Sequence, residues 1–226
     1  METISSSALE HLPHEQKWLY PVHLATAVQA FLAGVLRPDP VHPVGRVTSV
    51  YFDTPGLDSL AEKQASDYLK TKIRVRWYDG AGTAFWEIKR RIGSRREKLR
   101  GDLALPAATA AGLDLDDPRW LAVPAELRQL GLPLVPDLRP SIEIRYRRRR
   151  FVDPATGARV ALDDGILRGR TAARLSWLSG EALPWAVVEV KHPRAELGGP
   201  LYALAALGGR RVSFSKYGAV CAALEA

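Results

Sequence analysis

Apolar and charged positions alternate between Tyr68 and Tyr78. Lys70, Lys72, Arg74 and Arg76 share one parity, while Leu69, Thr71, Ile73, Val75 and Trp77 take the other. A period of two sends successive side chains to opposite faces, so the pattern predicts a β-strand with one apolar and one cationic face. Asp79-Gly80-Ala81-Gly82 then reads as a hairpin turn, with Thr83 to Arg91 as the returning strand. Gly45 to Asp53 is rich in β-branched and aromatic residues and stops at Thr54-Pro55-Gly56, which predicts a strand followed by a turn. Shorter strands are predicted at Lys98 to Leu105, Ser141 to Val152, Ala158 to Asp163 and Trp185 to His192, with a second hairpin loop over Asp153 to Gly157. Helical spacing is scarcer. It is present at Val22 to Leu36, within Ala107 to Leu130 (a helix near Ala125 to Leu130), at Leu197 to Leu207 and at Ser215 to Leu224. No internal repeat and no long linker interrupts this series, so residues 1–226 are read as a single domain.

The charged parity changes the picture. A solvated sheet face ordinarily mixes Lys with Glu and Thr, and a face of one sign repels itself. Here the charged positions are overwhelmingly basic in one strand after another, which points to a polyanion that they surround. Strands of this kind closed into a barrel would line its lumen with cations. The whole chain agrees: 32 Lys plus Arg against 25 Asp plus Glu give +7 over 226 residues, with a pI near 9.7. A single cysteine, Cys221, excludes an internal disulfide framework and a multi-cysteine metal site. No apolar run is long enough to span a bilayer, and Met1 to His14 lacks the basic start and apolar core of a signal peptide, so a soluble cytoplasmic protein is the expectation.

Glu-x-Lys occurs three times, at Glu15-Gln16-Lys17, Glu87-Ile88-Lys89 and Glu189-Val190-Lys191. Spacing of two puts both charges on one face of a strand. A single pair is most simply a structural salt bridge. Three copies beside Lys72-Ile73-Arg74-Val75-Arg76 suggest the division of labour of phosphoryl-transfer sites, in which carboxylates hold a divalent cation and basic groups grip phosphate oxygens.

These motifs, with Tyr51-Phe52-Asp53-Thr54, Lys98-x-Arg100, Tyr146-x-Arg148-x-x-Phe151, Arg159-x-x-Leu162-Asp163 and Ser215-Lys216-Tyr217, stand in the order found in the VTC domain. That domain is the polyphosphate polymerase module related to the CYTH-like triphosphate tunnel metalloenzymes, and the resemblance runs from about residue 14 to 222. It implies an α+β fold, an antiparallel β-barrel tunnel with flanking helices, that moves the γ-phosphate of ATP onto a growing polyphosphate chain with Mn²⁺ or Mg²⁺. Carried over by motif, Lys17, Arg74, Arg76, Lys89, Lys98, Arg148, Arg159 and Lys216 would be catalytic phosphate ligands. Tyr146, Lys72, Lys191 and Arg100 would bind substrate, and Glu189 would hold the metal.

The first strand departs from the hydrolase pattern Glu-x-Glu-x-Lys. Pro13 stands where the earlier glutamate would be. One carboxylate fewer disfavours activation of water and favours a polymerase over a triphosphatase. A triphosphatase of the same fold and a non-catalytic polyphosphate-binding module are the alternatives. Nucleic acid is not expected, because aromatic platforms between the basic residues are not evident, and a membrane partner is left open. Within Arg145 to Arg150 only Tyr146 and Arg148 share the tunnel parity, so Arg147 and Arg149 are expected outside it. Arg90, Arg91, Arg95 and Arg96 are expected beside a turn in solvent. His14, His23, His42 and His192 read as incidental, Cys221 as a small core residue, and Tyr51, Phe52 and Trp86 as core aromatics.

Overall fold

The computed structural model describes residues 14–64, 69–93, 95–177, 182–192, 194 and 197–222. The alternating segments form strands. In chain order the elements are β1 (His14–Pro21), α1 (Ala25–Val35), β2 (Arg37–Pro38), β3 (Val44–Asp53), α2 (Asp58–Gln64), β4 (Leu69–Tyr78), β5 (Thr83–Ile92), β6 (Arg95–Pro106) and α3 (Ala107–Gly112). They continue with α4 (Ala122–Gln129), β7 (Arg139–Val152), β8 (Arg159–Thr171), β9 (Trp185–His192), β10 (Arg210–Arg211) and α5 (Lys216–Ala222). The strands join in the order β10-β1-β9-β8-β7-β3-β4-β5-β6, with β2 on the end of β7, an order that begins and ends on an edge strand. The paired ladders are antiparallel. This is the antiparallel α+β fold that the resemblance implies.

The chain forms two compact units. One comprises Met1–Val44, Arg149–Asp164 and Trp185–Ser213; the other comprises Gly45–Arg148, Gly165–Pro184 and Phe214–Ala226. In the first unit, Val28 and Leu32 of α1 pack with Tyr20, Val160, Leu162, Ala186, Val188 and Val190. The core members on β1, β8 and β9 all have even numbers, which leaves Glu15, Lys17, Arg159, Glu189 and Lys191 on the opposite face. In the second unit, Val50, Phe52, Ile73, Val75, Trp77, Trp86 and Ile88 pack with Trp120 and Leu127. This turns the opposite parity of β3, β4 and β5 away from the core. A glycine keeps β5 and β6 in this register. Trp86 faces Gly101 across the ladder, and a Cβ at Gly101 would lie 2.5 Å from the indole.

Three local features differ from the sequence reading. β8 runs on to Thr171 where the sequence reading ends it at Asp163; beyond the ladder with β9, Leu167 bridges Ala182. Helix α2 lacks an apolar stripe of its own and is started by side chains: Asp53 Oδ1 accepts from the Ser59 amide at 2.9 Å and Thr54 Oγ1 from that of Asp58 at 3.1 Å. Leu197 to Leu207 yields only a 3₁₀ turn, Gly199–Leu204. The expected strand start at Tyr68, the helix end at Leu224, Pro13 and the side chains of Arg95 and Arg96 lie outside the described residues.

Candidate functional site

The register of β4, β5 and β6 stacks the predicted residues into cross-strand rows. Lys72 lies opposite Lys89, and Lys89 opposite Lys98. One step along, Arg74 lies opposite Glu87, and Glu87 opposite Arg100. Like charges directly opposite one another destabilise a sheet, so a row of three lysines needs an anion to offset it.

Glu87 offsets part of it. Its buried carboxylate accepts from Arg74 Nε at 2.7 Å and lies 2.6 Å from Arg74 Nη2, 3.3 Å from Arg76 Nη1 and 3.2 Å from Lys98 Nζ. Burial alone would raise its pKa, but Arg74, Arg76 and Lys98 outweigh that and hold the carboxyl far below the ordinary glutamate range. It is therefore a permanent anion that fixes three cations and leaves the face strongly positive.

β3, β7 and α5 complete the arrangement. Arg76 donates to Ser49 Oγ at 3.0 Å and to the Tyr146 hydroxyl at 3.1 Å. Lys216 sits 4.6 Å from the centre of the Tyr146 ring, and the Arg148 guanidinium 5.3 Å from it. Lys72 donates to Ser215 Oγ at 3.0 Å, the hydroxyl that also caps the first turn of α5. The Arg100 guanidinium lies 3.6 Å over the Phe85 ring. The structure thus brings together Lys72, Arg74, Arg76, Lys89, Lys98 and Arg100 on β4 to β6, and gathers Tyr146, Arg148 and Lys216 beside Arg76. Arg147 has the other parity and is exposed, as expected. Arg149 pairs with Asp164 at 2.5 Å.

The remaining predicted residues belong to the first unit and form a second cluster. Glu15 lies opposite Lys191 and Lys17 opposite Glu189, while Arg159 is opposite Lys191 on the other side. The two carboxylates are therefore diagonal on adjacent strands, Glu15 2.8 Å from Lys17 and Glu189 3.1 Å from Lys191. Among the described residues no three His, Cys, Asp or Glu side chains gather into a metal cage. Two diagonal carboxylates offer oxygen donors of the kind a hard divalent cation takes, and a cation held there would need its other ligands from phosphate or water.

Sequence reasoning missed the second layer of the basic face. Tyr51 is buried, as expected of a core aromatic, but its hydroxyl accepts from Arg74 Nη1 at 3.1 Å. Its ring stacks on Tyr217 with centroids 5.1 Å apart, and Tyr217 donates to Asp53 at 2.7 Å. Parity was the available signal: Ser49, Tyr51 and Asp53 alternate with Val50 and Phe52, which belong to the core. Cys221 is buried, as expected.

The model of the VTC domain family matches residues 13–225. This chain belongs to the VTC domain family. Among solved structures, the VTC chain is similar to a Hippeastrum protein described as an adenylyl cyclase with dominant triphosphatase activity. That match has 14% identity, covers 93% of this chain and 94% of that one, and has a TM-score of 0.54, which shows a shared fold. A Pyrococcus horikoshii protein matches at 13% identity over 93% and 95% of the two chains, with a TM-score of 0.49. One described as an adenylate cyclase from Bacillus halodurans matches at 14% identity over 81% and 82%, with a TM-score of 0.48. No curated protein matches this sequence. No helix among the described residues of the VTC domain is long and apolar enough to cross a membrane.

Proposed function

We propose that this VTC domain is a polyphosphate polymerase that moves the γ-phosphate of ATP onto a growing polyphosphate chain, the whole chain serving as one catalytic domain. The observation that carries the reading is the lysine row Lys72–Lys89–Lys98 beside the Arg74–Glu87–Arg100 row. Such a face is costly to assemble without an anion and is matched by the closely spaced charges of a triphosphate. Arg74 and Arg76 are already oriented by Glu87, Ser49 and Tyr146, so little reorganisation is needed when charge spreads over a transferring phosphoryl group. Within the other unit, Lys17, Arg159 and Lys191 form a cationic cluster of their own that would bind phosphate. Glu189, with Glu15 diagonal to it, would hold Mn²⁺ or Mg²⁺, which neutralises phosphate charge when bound. The protein supplies no nucleophile; the attacking oxygen is that of the acceptor phosphate, oriented by the cations that hold its chain. A metal-dependent triphosphatase of the same fold is the second reading, favoured by the activity attributed to the Hippeastrum protein.

Purified protein incubated with ATP and Mn²⁺ should give a ladder of chains on a polyphosphate gel. Glu189→Gln should abolish that ladder while tripolyphosphate binding without metal stays measurable by calorimetry. A full ladder from the variant would remove Glu189 from the metal site; no ladder from the native protein would count against the polymerase.

A further inference from the structure

Tyr51 lies beneath the cations of β4, and its surroundings are built in detail. Its hydroxyl accepts from Arg74 Nη1 at 3.1 Å, while the other edge of the same guanidinium is bound by Glu87 at 2.7 and 2.6 Å. Behind it, the Tyr217 ring is stacked nearly parallel at 12°, with its hydroxyl anchored on Asp53 at 2.7 Å. Asp53 is itself fixed by the amides of Thr54 and Ser59. Tyr51 thus joins a rigid framework of β3, α2 and α5 to one edge of Arg74. A core tyrosine needs no such alignment with a cation.

We propose that Tyr51 is a positioning residue for the bound triphosphate, holding the Arg74 guanidinium between itself and Glu87 in the orientation that meets phosphate. The inference rests on reading this face as a triphosphate site. It carries a consequence for pH. Burial pushes the phenol up, but Arg74, Arg76 and Lys216 pull it further down, to about 8. The ionisable groups facing it or its partners are Tyr217 on α5, stacked on its ring, Asp53 on β3, which holds Tyr217, Glu87 on β5, which holds Arg74, and Tyr146 on β7, which holds Arg76; burial and Asp53 raise Tyr217. Below pH 8 Tyr51 is neutral and Arg74 keeps its charge for phosphate. Above it, a phenolate matches that charge and adds repulsion.

The test is calorimetric binding of tripolyphosphate, without metal, to native protein and to Tyr51→Phe at pH 7 and pH 9. Phenylalanine keeps the stack on Tyr217 and removes only the hydroxyl. The ratio of the two affinities is read, so the ligand's own protonation cancels. At pH 7 the variant should bind roughly tenfold more weakly, about the worth of one hydrogen bond to a charged group. At pH 9 the ratio should fall to one or invert. Tyr217→Phe, which leaves the Tyr51 hydroxyl in place, should keep the native pH dependence. If native protein binds and Tyr51→Phe matches it at both pH values, or is weaker by the same factor at both, Tyr51 does not position Arg74 and the triphosphate reading stands. If native protein does not bind tripolyphosphate, the triphosphate reading fails and the inference fails with it.

Discussion

Replacing Glu87 with glutamine should destabilise the protein by about 3–5 kcal/mol at neutral pH, the usual cost of breaking a buried ion pair by removing one partner. The variant leaves Arg74, Arg76 and Lys98 crowded about a neutral amide, where the native protein has contacts of 2.6–3.3 Å to one carboxylate. Native Glu87 titrates far below the ordinary glutamate range. A depressed folded-state pKa contributes stability that is complete above the unfolded value, about 4.3, and is lost as pH falls further. The gap between native protein and Glu87→Gln should therefore be full at pH 7 and narrow in acid. Tripolyphosphate should recover much of the lost stability at neutral pH, because a ligand that binds only the folded state stabilises it and here replaces the missing negative charge. Chemical denaturation with and without tripolyphosphate reads both effects. A loss of stability that tripolyphosphate leaves unchanged would mean that the three cations serve the fold and not a ligand.

Arg74→Ala should have the largest effect on activity, lowering ATP turnover by about a hundredfold or more, the scale found when one preorganised donor to a developing charge is removed. Arg74 touches both Glu87 and Tyr51, so alanine also releases the two groups that orient it. Arg74→Lys should not rescue it, because an ammonium cannot bridge two partners as the guanidinium fork does. Lys216→Ala should be milder and expressed mainly as weaker ATP binding, since Lys216 lies over the Tyr146 ring and its loss leaves the Arg74–Glu87 pair in place. Initial rates over a range of ATP concentrations separate the two. Equal, small losses in both variants would contradict a central role for Arg74.

The longer strands of this protein are legible in its sequence because each buries apolar residues in a core, whereas the two-residue strands β2 and β10 are exposed and carry no such pattern. Ile73, Val75 and Trp77 alternate with Lys72, Arg74 and Arg76, and the register follows from that alternation. The basic rows could be anticipated for the same reason. What the alternation does not encode is which cation meets which acid. Glu87 reads as one of three similar Glu-x-Lys pairs, yet it gathers Arg74 and Arg76 from β4 and Lys98 from β6, whereas Glu15 and Glu189 pair with the lysine two residues on. Tyr51 was hidden because a buried tyrosine in a β-rich run looks like packing. Its role depends on contacts with Arg74, 23 positions away in the chain, and Tyr217, beyond the reach of local pattern. Helix α2 was missed because Asp53 and Thr54 start it by accepting its first amides.

We propose that the basic face serves phosphoryl transfer between phosphates and not hydrolysis. Phosphorus NMR of the protein with ATP and Mn²⁺, quenched with chelator before acquisition, tests it most directly. ADP should form together with the resonance of internal polyphosphate groups, with orthophosphate a minor product. Orthophosphate equal to the ADP formed, with no internal chain resonance, would contradict it and make the protein a triphosphatase.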